Sequence, residues 1–154
     1  MQKYLKGARS ERELLNRLYS MGYSVMRSAG SGVNSLGPDI IAMKDGVCLA
    51  FECKAWEKSR LSLDPEGYAK LAEWERNTRS YTYVAWRMNV RGWFFIRLDE
   101  LKAGEKDYSI TKKKTLEIGR ILEHIIAASV EAVPHAGGAE SVVIEETVGS
   151  ALTG

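Results

Sequence analysis

Gly37-Pro38-Asp39-Ile40-Ile41-Ala42-Met43-Lys44-Asp45-Gly46-Val47-Cys48-Leu49-Ala50-Phe51-Glu52-Cys53-Lys54 is the stretch whose reading decides the fold. Two apolar runs, residues 39–43 and 47–55, flank Lys44-Asp45-Gly46. An Asp-Gly pair in that setting predicts a β-hairpin, because Asp and Gly accept the positive φ angles of a tight hairpin turn. Along a strand, residues i and i+2 share a face. Glu52 and Lys54 therefore side with Cys48 and Ala50, while Val47, Leu49, Phe51 and Cys53 take the other, apolar face. Asp39 opens the partner strand, so its carboxylate comes near Glu52.

Upstream, residues 10–19 predict a helix. Leu14, Leu15 and Leu18 fall at helical spacing, and Ser10-Glu11-Arg12-Glu13 has the form of a capping box, with Gly22 as the stop. Residues 23–27 alternate apolar and polar, as a half-buried strand does. Residues 28–38, with three glycines and no period, read as a loop. Downstream, residues 56–64 (WEKSRLSLD) read as a polar, basic, mobile loop. Residues 65–79 predict a helix with Pro65 in its first turn. Residues 81–87 and 92–98 predict strands rich in aromatic and β-branched residues, and residues 116–129 a final amphipathic helix. This order predicts an α/β protein with a central mixed sheet flanked by helices. The expected division is a single domain over residues 1–127, followed by an acidic, Ala/Gly-rich and flexible tail over 128–154.

The 154 residues suit one domain, and 45% hydrophobic with 27% charged residues is ordinary for a soluble globular protein. No apolar run is long enough for a membrane span, and the first residues lack the apolar core of a signal peptide. The net charge of +2 conceals an asymmetry: residues 1–127 hold 22 basic and 16 acidic groups, a net of +6. Such an excess is compatible with a phosphate-rich partner and equally with a mixed solvated surface. Cys48 and Cys53 project from opposite faces of one strand roughly 16 Å apart, beyond disulfide reach, and read as reduced thiols. Two histidines and two cysteines leave no thiolate–imidazole zinc set.

Two neighbouring carboxylates repel and raise each other's pKa unless a cation joins them. Asp39, Glu52 and water form the sparse oxygen set that Mg²⁺ accepts, and the carbonyl of Cys53 adds another oxygen. Such an ion polarises a phosphate and acidifies bound water. The ammonium of Lys54 then orients that water or stabilises pentavalent phosphorus. Taken alone, a Glu-x-Lys stripe is more often a solvated strand face, and an Asp after Pro a turn residue.

Together they spell Pro-Asp-x₁₂-Glu-x-Lys, which resembles the PD-(D/E)xK nuclease signature. Lys6-Gly7-Ala8-Arg9-Ser10-Glu11-Arg12-Glu13-Leu14-Leu15, Arg27-Ser28-Ala29-Gly30-Ser31 and Gly92-Trp93-Phe94-Phe95-Ile96 extend the likeness to the archaeal Holliday junction resolvases, over roughly residues 5–100. The resemblance implies a Mg²⁺-dependent homodimer, with Mn²⁺ substituting, that cuts four-way DNA junctions symmetrically during recombination and repair. It implies Glu11, Asp39 and Glu52 as metal-centre acids, Glu11 acting directly or through water, and Lys54 as the catalytic lysine. Arg12 and Arg27 match basic residues of activity and phosphate contact. Ser31 lies in the family's mobile loop, although the stretch 31–38 is longer here, which leaves Ser28, Ser31 and Ser35 as alternatives for the DNA-facing hydroxyl. Lys3, Lys6, Arg9 and Arg12 around the first helix, with Lys58 and Arg60 after the catalytic strand, are candidates for a phosphate-binding surface without base readout. Trp86, Trp93, Phe95 and the final helix are candidates for the dimer interface. The implied location is cytoplasmic and nucleoid-associated, with an archaeal or archaeal-virus origin. Two alternatives stay open: a restriction-like or repair endonuclease acting on duplex, nicked or flap DNA, and a junction-binding protein that does not cleave.

Overall fold

The computed structural model describes residues 2–28 and 36–132. In chain order the elements are α1 (Gln2–Ser20), β1 (Ser24–Arg27), β2 (Ile40–Lys44), β3 (Val47–Lys54), β4 (Arg60–Leu63), α2 (Pro65–Thr78), β5 (Tyr81–Met88), β6 (Gly92–Arg97), β7 (Lys102–Ala103), β8 (Tyr108–Thr111), α3 (Lys112–Ile118) and α4 (Leu122–Ala132). A five-stranded sheet runs in the order β1-β2-β3-β5-β6, and a three-stranded one in the order β4-β8-β7. All pairs are antiparallel except β3 with β5, where Leu49 lies beside Tyr81 and Lys54 beside Trp86. The large sheet is therefore mixed, as the element order predicts. Asp45 and Gly46 both have positive φ, at 50° and 78°, and close the expected two-residue turn between β2 and β3.

Strand periodicity splits the core into two layers. Leu49 and Phe51 of β3, with Tyr83 and Ala85 of β5, pack beneath Leu14 and Leu18 of α1 and Leu122 and Ile125 of α4. On the opposite face, Val84, Trp86 and Met88 of β5 meet Leu71 of α2 and Leu61 and Leu63 of β4. β5 is thus covered on both sides, which explains its unbroken apolar run. Tyr68 of α2 stacks on Tyr108 of β8 with 3.7 Å between ring centroids, joining α2 to the small sheet.

Several expectations change. α1 begins at Gln2 rather than Ser10, and the Ser10 hydroxyl donates to the Lys6 carbonyl at 2.9 Å instead of capping. Nothing between residues 3 and 9 except Gly7 resists a helix, and Ser10 is buried in line with Leu14 and Leu18. Residues 60–63 form β4, not a loop, because Leu61 and Leu63 are buried at alternate positions. The final helix is two helices, broken at Gly119, whose φ of 60° carries a left-handed cap. Trp86, Trp93 and Phe95 are at most 5% exposed within the single chain, so they belong to its core and not to a dimer interface. The expected division at 127/128 falls inside α4, where Ser129 is still buried. The rest of the expected tail, from residue 133 on, lies outside the described residues. Among the described residues no helix is long and apolar enough to cross a membrane.

Candidate active site

The site forms at the end of the β2–β3 hairpin farthest from its turn. Ile40 pairs with Phe51, which places Asp39, one residue before β2, opposite the Glu52 end of β3. The Cys53 backbone N–H donates to an Asp39 carboxylate oxygen at 2.8 Å, and the Ser28 N–H donates to the Asp39 carbonyl at 2.8 Å. Asp39 is thereby tied to both flanking strands. From α1, Glu11 accepts from Arg27 Nε at 2.8 Å, so an acid and a base separated by sixteen residues meet beside the hairpin.

Electrostatics mark the site as short of positive charge. Burial is the main cause that raises the Glu52 pKa from 4.5 to about 7, reinforced by Asp39 and Glu11 and opposed by Lys54. Burial likewise raises Asp39, with Glu11 adding to it, while the Cys53 N–H, Lys54 and Arg27 pull it down. The Cys53 thiol is pushed up by burial on the apolar side of β3. Among the described residues no three Asp, Glu, His or Cys side chains converge into a complete metal cage. The donor set nevertheless fits Mg²⁺, which takes one or two carboxylates and keeps most of its water.

Lys54 projects from β3 with its ammonium 5.1 Å from the Trp56 ring centroid, and Lys58 sits 4.7 Å from the same ring. The Trp56 carbonyl accepts from the indole N–H of buried Trp86 at 2.9 Å, which ties the Trp56 backbone to β5. Lys6, Gly7, Lys54, Trp56 and Lys58 line a hollow of about 510 Å³. Arg9 and Arg12 line a second one of about 490 Å³ farther along α1. Arg60 turns away to pair with Asp107 at 3.0 Å. Ser31, like Ser35, lies outside the described residues, and so does the side chain of Lys3. The Lys54–Trp56–Lys58 cluster was missed in the sequence, where only a Lys-x-Trp-x-Lys spacing hints at it.

A mixed sheet whose central hairpin presents Asp39 and Glu52-x-Lys54 at one end, with helices on both faces, is a restriction-endonuclease-like nuclease fold. A family model described as archaeal Holliday junction resolvase (Hjc) matches residues 2–132. The chain belongs to that family. It is 34% identical over 106 residues to the crossover junction endodeoxyribonuclease Hjc of Archaeoglobus fulgidus, covering 68% of this chain and 78% of that protein. The Methanocaldococcus jannaschii protein of the same name is 35% identical over 111 residues, covering 72% and 80%. The solved structure of A. fulgidus Hjc, a Holliday junction resolvase, matches with a TM-score of 0.70 at 28% identity over 79% of this chain and 96% of that one.

Proposed function

We propose that this protein is a DNA endonuclease that resolves four-way junctions by paired phosphodiester hydrolysis, working as a homodimer with Mg²⁺ as cofactor and Mn²⁺ as a substitute. The observation that carries this reading is the buried Asp39–Glu52 pair beside Lys54 in a chain of the Holliday junction resolvase family.

Asp39, Glu52 and the Cys53 carbonyl would hold the ion, with Glu11 reaching it through water. When bound, Mg²⁺ supplies a Lewis acid for the scissile phosphate and a lowered pKa for water. The Cys53 N–H fixes the Asp39 carboxylate, and Arg27 fixes Glu11, so neither acid needs to reorganise when substrate arrives. Lys54 brings an ammonium to the same place, where it stabilises negative charge gathering on the phosphate oxygens. Lys6 and Lys58 share the hollow of Lys54, and Arg9 and Arg12 line the neighbouring one on α1, charges suited to the DNA backbone that favour recognition by shape over base sequence. Two cuts related by symmetry follow from two such sites in a two-fold dimer.

The test is cleavage of an end-labelled synthetic four-way junction beside linear duplex and flap controls, with Mg²⁺, with EDTA, and with Asp39→Asn. Paired symmetric nicks that require both metal and Asp39 are expected. Preferential cutting of duplex or flap would move the protein to a repair or restriction-like activity. Tight junction binding without cleavage under any divalent metal would overturn the catalytic assignment.

A further inference from the structure

Three consecutive lysines open α3, where the helix dipole disfavours positive charge, and no acid stands in that first turn. Thr111 caps the helix by accepting from the Lys114 N–H, so the turn forms in spite of its charge. This turn is joined to the segment that follows the catalytic strand. The Lys112 N–H donates to the Ser59 carbonyl at 2.8 Å, next to Lys58, and Arg60 of β4 pairs with Thr111 of β8. Lys58 in turn shares the Trp56 ring with Lys54. The first turn of α3 therefore packs against the segment that carries Lys58, so lysines succeed one another from Lys54 through Lys58 to the start of α3.

The acids near this line neutralise little of it. Lys112 lies 3.8 Å from Glu57 and Lys114 lies 4.0 Å from Glu117, both at the outer limit of an ion pair. Lys113 is exposed and forms no ion pair with a described residue. Arg60 is excluded from the line by its closer pair with Asp107. Flexible lysines bring point charges without the planar fork that reads carboxylates or bases, a chemistry suited to a row of phosphates.

We propose that Lys58, Lys112, Lys113 and Lys114 form a phosphate-tracking strip that holds a duplex arm of DNA as it leaves the catalytic centre. The strip extends the nuclease reading given above and rests on it.

The experiment measures the Kd of the protein for a fluorescent four-way junction across a salt series, with Ca²⁺ in place of Mg²⁺. Lys113→Gln/Lys114→Gln is compared with Arg76→Gln/Arg79→Gln. The latter pair removes the same charge from the end of α2, beside the Tyr81 start of β5 and away from Lys54. Each lost phosphate contact flattens the slope of log K against log salt by about 0.9, so the lysine variant is expected to lose about two units of slope. The arginine variant keeps both the wild-type slope and the wild-type rate of nicking at saturating junction. Equal slopes in the lysine variant and wild type overturn the strip while leaving the nuclease reading intact. Equal flattening in both variants also overturns it, because the effect is then one of overall charge. A wild-type protein with no affinity for the junction overturns both readings.

Discussion

At Glu52 the fold holds a carboxyl group whose pKa is raised by burial and by Asp39 to about 7, against 4.5 ordinarily. A folded-state pKa above the unfolded value means that the native state binds this proton more tightly. The stabilisation is complete below pH 4.5 and is lost as pH rises through 7. Asp39 carries a shift of the same sign. Without metal, the protein should lose on the order of 2 kcal/mol between about pH 5.5 and 8, seen as a falling melting temperature. Glu52→Gln should flatten that dependence, and Mg²⁺ should remove it in the wild type; a wild-type melting temperature that rises over the same interval would contradict the assignment. Asp39→Asn should lower junction cleavage by at least about 100-fold, because even outer partners of metal ligands are worth 10–100-fold. Single-turnover rates at saturating DNA would show it. Asp39, Glu52 and Lys54 were legible because strand alternation and a two-residue turn are local rules. The Glu11–Arg27 contact and the Trp56 seat were not, since they depend on how α1 and the segment after β3 settle on the sheet.

β4 shows how a short element hides in a polar sequence. Its four residues contain only Leu61 and Leu63 as apolar members, too few for periodicity to separate a strand from a loop. β7 and β8 escaped for the same reason, having two and four residues. Their stability comes from tertiary pairing and from burial beneath α2, which local propensity does not register. Leu61 is fully buried, so Leu61→Ala should destabilise the fold by about 2–4 kcal/mol in urea unfolding; an exposed loop leucine would cost almost nothing. Gly119 ends α3 at φ 60°, where a Cβ is strained and would also meet the Leu116 carbonyl at 3.3 Å. Gly119→Ala should cost about 1 kcal/mol or more by the same measurement. The residue after it, Arg120, makes a bidentate pair with Glu100 at 2.7 and 2.8 Å. That pair ties the link between α3 and α4 to Glu100, and a reading of apolar spacing as one continuous helix has no means of finding it.

Across the molecule, the architecture was legible and its assembly less so. Alternating strand and helix patterns imply a mixed sheet between helices, and the two-layered core follows from them. The aromatic residues Trp86, Trp93 and Phe95 of β5 and β6 are candidates for a partner surface by sequence, yet the chain buries them itself. Exposed apolar groups include Met26 on β1, Met43 on β2, Ile121 just before α4 and Val130 on α4. Sedimentation should give twice the chain mass at micromolar concentration if the proposed dimer is right, and a single chain mass would exclude a two-fold resolvase. The order of strands also has a temporal side. β2 meets β3 across a two-residue turn, whereas β3 meets β5 only after residues 55–80 have been laid between them. Loop closure slows as the chain to be closed lengthens, so the hairpin forms in microseconds and the parallel pairing follows much later. Asp39 and Glu52 are thus brought face to face early in folding, while still hydrated, and the desolvation that distinguishes them arrives only when β5 and the helices close over the sheet.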